Sequence, residues 1–315
     1  SYGHFLRDGD KEQPVRATAI NVSSKSRTAP VVHRVAWFHC PKCGTSFGTV
    51  VAHYANSWLP PDAHVPNCEE EACKFVSAVS FYRRWQSYFT ARQFWNHGGV
   101  AGNIGGQEGL TQVDYNRWSG AFFGLFREPS ARLFSSWSYF AKSRVSSTSY
   151  ARRAKAGMTL QLQGGEHGLH CTVPSRFGLC HPPRPNLTLA LSRLRGFAFV
   201  GLSDAYPLSV CLFHLKFGTP CLPVEFLNSR PTNVTKTLFD KFTQGLAQGV
   251  PFGGCIDQTD EALYLHVRER FMIEVAHFDA SPARCAQICP YAQREAFALK
   301  PRKLRRPLAP GVKPC

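Results

Sequence analysis

An α/β fold with a mostly parallel sheet is predicted by three features of the sequence. Apolar runs at 31–38, 121–126 and 197–202 are short and bounded by turn signals, and each leads into a stretch with helical apolar spacing. The 315 residues are 43% hydrophobic, enough for one sizeable core. Strands buried on both faces read as continuous apolar runs, and their alternation with helices argues for a layered α/β architecture. Ligands of such folds collect at the carboxyl ends of the strands.

The first run leads into His39-Cys40-Pro41-Lys42-Cys43-Gly44-Thr45-Ser46 and then a helix expected over 45–59, capped by Thr45 or Ser46. The second run ends at Arg127-Glu128-Pro129. Pro129 suits the first turn of a helix, and Leu133, Trp137 and Phe140 are spaced for one apolar face. After the third run, Ser203 and Asp204 are expected to cap a helix beginning near Pro207. Leu263, Val267, Phe271 and Val275, four apart, predict the longest helix over 257–278, read as scaffold. Segments 67–119 and 164–185 show no clean period and are expected to shape an acceptor cleft. Residues 1–30 are polar and 300–315 basic and Pro-rich, so the domain is expected over 31–299, between an N-terminal extension and a C-terminal tail.

A net charge of +16 draws anions: nucleic acid, anionic lipid, sulfated or uronate-rich glycans, or a highly charged nucleotide. Twelve cysteines, an even number, allow a disulfide set in an oxidising compartment, although spacing does not reveal connectivity. Sequons at Asn21, Asn186 and Asn233 point to the secretory pathway and require exposed loops or element ends. No apolar run is long enough to cross a bilayer, and any signal peptide or anchor is expected to lie outside these residues.

Two segments carry the chemistry. A phosphate is held by consecutive backbone N–H groups at a helix start, where a glycine lets the chain approach closely. In 39–46, Gly44 supplies that backbone, Thr45 and Ser46 supply hydroxyls, and Lys42 supplies a cation. Lys42 precedes the single glycine, which excludes the nucleotide-triphosphate loop of kinases, where Lys follows the second glycine. In the second segment, Arg127 stands at a strand end and Ser135 two helical turns on, so a guanidinium and a hydroxyl can converge on another phosphate. An ordinary strand-to-helix turn and a structural salt bridge are the bland readings of the two segments.

Together the segments resemble the sulfotransferase superfamily. Pro41, Lys42, Cys43, Gly44, Thr45 and Ser46 match its 5′-phosphosulfate loop; Arg127, Glu128, Pro129, Arg132 and Ser135 match its 3′-phosphate motif. Phe197-Ala198-Phe199-Val200-Gly201-Leu202 is similar to a later strand of the Golgi-type carbohydrate enzymes. The resemblance implies a P-loop-like three-layer fold, with a central mostly parallel sheet flanked by helices. The implied donor is 3′-phosphoadenosine 5′-phosphosulfate, cradled by residues 41–46 with Arg127 and Ser135 on its 3′-phosphate. Lys42 would stabilise the leaving group, no metal would be required, and the acceptor would be a glycan or glycoconjugate in the Golgi lumen rather than nucleic acid.

Transfer to a hydroxyl also needs a general base. His97, between glycine-rich neighbours, is the first candidate, and Glu69, Glu70, Glu71 and Asp114 follow; His39 is expected to steady the loop instead. The Cys40-x-x-Cys43 pair lacks the further ligands that zinc needs, and Cys285 and Cys289 form the other close pair. Two further readings stay open: a small-molecule sulfotransferase, and a non-catalytic basic glycan-binding protein on a relic nucleotide fold.

Overall fold

The computed structural model describes residues 34–63, 93–95, 109–140, 145–165, 183–228, 235–298 and 312–315, all within one compact unit, Val31–Cys315. Four strands form a parallel sheet: β1 (Val35–Phe38), β2 (Gln93–Trp95), β3 (Phe122–Phe126) and β4 (Phe197–Leu202), in the order β2-β1-β3-β4. The three apolar runs are thus β1, β3 and β4, with every residue of β1 and β3 buried. Strand β2 lies in the segment that showed no periodicity.

The helices are α1 (Phe47–Ala55), α2 (Gln112–Trp118), α3 (Pro129–Phe140), α4 (Ser147–Ala154), α5 (Gly157–Leu162) and α6 (Leu187–Leu194), then α7 (Tyr206–Phe217), α8 (Lys236–Ala247), α9 (Gln258–His277) and α10 (Pro282–Ile288). Helix α9 is the longest described, with Leu263, Val267 and Phe271 buried and Val275 against the core, as their spacing predicts. A short pair, β5 (Cys255–Ile256) with β6 (Lys313–Pro314), ties the last residues to the body, and Cys315 is bonded to Cys255. The end of the segment expected to be a tail is therefore anchored.

A single irregularity lets β4 serve both faces of the sheet. Phe122 pairs with Phe197 but Phe123 with Phe199, so Ala198 is an extra residue. Side chains alternate along a strand, so a bulge turns Phe197 and Phe199 to opposite sides. Phe199 meets Phe47 of α1 and Phe213 of α7, at centroid distances of 5.5 and 5.3 Å. Phe197 meets Phe122 and Phe38, at 5.2 and 5.4 Å. Helix α9 packs along β4, and Arg270 donates to the carbonyl of Leu194 at the end of α6 and to that of Phe197 at the start of β4.

Neither expected cap forms. Ser46 occupies the cap position of α1 in helical geometry, with no side-chain cap bond, and Thr45 Oγ1 is 3.1 Å from His39 Nε2. Helix α7 begins after Ala205, preceded by a 3₁₀ turn over Ser203–Ala205, and Asp204 instead accepts from Glu128 N at 2.9 Å. Thr45 is engaged by His39, six residues earlier, and Asp204 by Glu128 N, 76 residues away, in place of the local N–H groups. By contrast Asn186 caps α6 from an exposed position, its Oδ1 accepting from Leu189 N, so this sequon lies at an exposed element end; Asn21 and Asn233 lie outside the described residues.

Two disulfides, Cys211–Cys285 and Cys221–Cys289, tie α7 and the segment after it to α10. Cys285 and Cys289 each find a separate partner, so their spacing reflects one helix face and not a shared ligand. Three disulfides among the described residues, and no described helix long and apolar enough to cross a membrane, are compatible with a lumenal or secreted domain.

Candidate functional site: a cationic pocket at the strand ends

Because β1, β3 and β4 are parallel and adjacent, the loops that leave their carboxyl ends meet. They enclose a pocket of about 380 Å³, within the range of small-molecule sites. Its lining includes Pro41, Lys42, Gly44, Thr45 and Ser46 from the first loop, Arg127 from the end of β3, and Ser135 and Tyr139 from α3. Ser203 and Tyr206 come from the end of β4 and the start of α7, and Phe226, Leu227 and Asn228 close the wall.

The first loop reaches the pocket through two left-handed residues, Lys42 at φ 65° and Gly44 at φ 101°. Gly44 lies against β3: a Cβ there would be 2.9 Å from Leu125 Cδ1, so only glycine meets both the dihedral and the approach. Among the described residues, no protein group accepts from the N–H of Gly44 or Thr45. Cys43, expected in the cradle, turns inward instead; it is buried, with Sγ 4.0 Å from Met158 Sδ, and only its backbone faces the loop. Cys40 is also buried and unbonded, and burial, reinforced by Cys43, pushes its thiol pKa up, which makes it inert. His39 steadies the loop as expected, stacking on Trp37 at 4.8 Å and accepting from Gln161 Nε2 through its carbonyl.

The two sequence segments are in direct contact. Arg127 Nη1 donates to the Lys42 carbonyl at 3.2 Å, and Asp204 Oδ1 stands 3.8 Å from Arg127 Nε. Asp204 also accepts from Tyr264 of α9, so one carboxylate connects β3, β4 and α9 beneath the pocket. Arg127 Nε and Ser203 Oγ are buried and have no hydrogen-bond partner, although both residues line the cavity. Buried donors without partners are costly in a folded protein.

Arg132, the second arginine of the same motif, does a different job. It is fully buried, donating to Ala154 O at 3.0 Å and to Asp260 at 3.3 Å. Burial works against its charge, but Asp260, with smaller contributions from Cys40, Cys43 and Asp257, outweighs this and raises its pKa. Asp260 further accepts from Met158 N, Thr159 N and Thr159 Oγ1. Neighbouring Asp257 caps α9 and accepts from Ala156 N at 2.7 Å.

Burial, with the Asp260 charge added, pushes the Asp257 pKa up to about 7, above the unfolded carboxylate value. The folded state therefore holds a proton that the unfolded chain gives up at lower pH. The resulting stability is full below about pH 4 and is lost as pH rises through about 7. Melting curves at pH 5 and pH 8 are expected to show this loss, and Asp257→Asn is expected to flatten it. An unchanged slope in that variant would remove Asp257 as its source.

Of the remaining candidates, Asp114 is bound to Thr111 at the start of α2 and does not line the pocket. His97, Glu69, Glu70 and Glu71 lie outside the described residues. Tyr139, Ser203, Tyr206 and 226–228 were not foreseen. Tyr139 is one turn beyond Ser135 and was legible from the helical period, whereas 226–228 gave no signal. That wall is set by Glu225, which accepts from His214 Nε2 at 2.7 Å and Leu222 N at 2.9 Å, while Tyr206 donates to its carbonyl. His214, Glu225 and Cys221 bring three ligand-type atoms within 4.8 Å, but the Cys221 sulfur is bonded to Cys289. No protein-family model, curated protein or solved structure matches the chain. Chemically, the site presents a cation on each of two touching loops, free N–H groups and hydroxyls, which suits a ligand with more than one anionic group.

Proposed function

We propose that the chain is a sulfotransferase that moves the sulfuryl group of 3′-phosphoadenosine 5′-phosphosulfate to a hydroxyl or amine, most plainly of a carbohydrate acceptor in the Golgi lumen. The observation that carries this reading is the contact between the Lys42 loop and Arg127 in the wall of one pocket at the ends of three parallel strands. It is the arrangement that the two motifs require, and a P-loop-like three-layer fold is the corresponding architecture.

Fit to the donor rests on the polar groups that line the pocket. The N–H groups of Gly44 and Thr45, with Ser46 Oγ and Lys42 Nζ, would hold the 5′-phosphosulfate; Arg127, Ser135 Oγ and Ser203 Oγ would serve the 3′-phosphate. The acceptor oxygen forms a bond to sulfur as the bond from sulfur to the bridging phosphate oxygen breaks. The acceptor proton passes to a base, for which His97 stays the candidate, and adenosine 3′,5′-bisphosphate leaves. Lys42 offsets the charge that grows on the leaving phosphate, and geometry that holds the two oxygens in line supplies the rest. Side-chain cations and backbone donors suffice for this charge, so the proposal assigns no metal.

The test is incubation of the purified chain with radiolabelled donor and a glycan library; label on an acceptor supports the reading. Binding of donor or of sulfated glycan with no transfer to any acceptor would favour the non-catalytic alternative, to which the +16 charge is equally suited. The assignment of Arg127 has its own measurement. By calorimetry, Arg127→Ala is expected to weaken adenosine 3′,5′-bisphosphate about 10- to 100-fold, the worth of a hydrogen bond to a charged group. Adenosine 5′-phosphate should be much less affected, and an equal loss for both would detach Arg127 from the 3′-phosphate.

A further inference from the structure

Lys42 is held at both ends by the same unit, β3 and α3. Its carbonyl accepts from Arg127 at the end of β3, and its ammonium lies over the ring of Tyr139, 4.3 Å from the centroid. Tyr139 is four residues beyond Ser135, so one face of α3 offers the pocket a hydroxyl and, a turn later, an aromatic ring. The opposite face, with Leu133 and Trp137, is used for packing on Phe252 and its neighbours. Tyr139 is 53% exposed although it lines a pocket, so its contribution to the core is small. A lysine on a left-handed turn at the mouth of a cavity has a long flexible stem, and ordering that stem on binding costs entropy. A ring that attracts the ammonium in the free protein reduces this cost.

Resting on the sulfotransferase reading, we propose that Tyr139 is a positioning residue for Lys42, its ring face keeping the ammonium inside the pocket before the donor binds. The role needs the π face and not the phenol hydroxyl. It also ties the two halves of the donor site together, because the helix that carries Ser135 toward one phosphate sets the cation that serves the other.

Titration with adenosine 3′,5′-bisphosphate tests this through a double-mutant cycle. Tyr139→Leu is expected to raise the Kd by roughly two- to fivefold, the range of an exposed cation–π contact. Tyr139→Phe, which keeps the ring, should recover most of that loss. In a Lys42→Ala background Tyr139→Leu should add nothing, since there is no ammonium left to place. A loss that persists in that background, a Phe variant as weak as Leu, or no effect of Leu in a protein that binds the bisphosphate would each overturn the proposal and leave the function standing. If the wild-type chain does not bind the bisphosphate, the donor reading falls and this role falls with it.

Discussion

Replacing Lys42 with Ala is expected to lower sulfuryl transfer by about two to three orders of magnitude, the usual effect of removing one donor to a developing charge. The substitution is a clean one. Lys42 sits at φ 65°, and alanine carries the same Cβ, so the turn is no more strained after the change than before. The backbone carbonyl that accepts from Arg127 is retained. What disappears is the ammonium, and with it the charge proposed to meet the departing phosphate. Labelled-sulfate transfer, measured beside a melting curve, separates chemistry from folding. Turnover within a few-fold of wild type at an unchanged melting temperature would remove Lys42 from the mechanism.

The second large effect is on stability, at a residue with no place in the pocket. Asp260→Ala is expected to destabilise the fold by about 3–5 kcal/mol, because it leaves the Arg132 guanidinium buried without its counter-charge. The loss extends further, since Met158 N, Thr159 N and Thr159 Oγ1 all donate to the same carboxylate. Urea or thermal unfolding reads it directly. The double replacement Arg132→Met with Asp260→Leu should lose less than Asp260→Ala alone, since no charge then remains to be desolvated. Equal losses would show that the ion pair is not the source. The pair joins α3 to the start of α9, and Arg132 is three residues before Ser135, so its function is to fix where the pocket's helix lies.

How far each of these sites could be read depends on where its partner lies. Lys42, Gly44 and Arg127 were legible because their surroundings are local: an apolar strand, a turn, then a helix start, all within about ten residues. Pro129 at the first turn of α3 and the four-residue spacing in α9 were legible for the same reason. Arg132 carried the same motif signal as Arg127, yet it points inward to a carboxylate 128 residues away. Asp204 and Thr45 looked like caps because helix N–H groups were the visible partners; Thr45 is used by His39 within the same turn, and Asp204 by Glu128 N, which only folding brings near.

The order of apolar strands, polar turns and helices along the chain was enough to predict α/β layering and to put the Lys42 and Arg127 loops at the same end of a parallel sheet. Burial on both faces leaves that mark on every residue of a strand, so it survives in one dimension. Which loops touch, which cysteines join, that Cys43 faces the core, and that residues 226–228 complete the wall were settled by tertiary contacts alone. Those contacts depend on strand order and on one extra residue at Ala198, and neither leaves a pattern along the sequence.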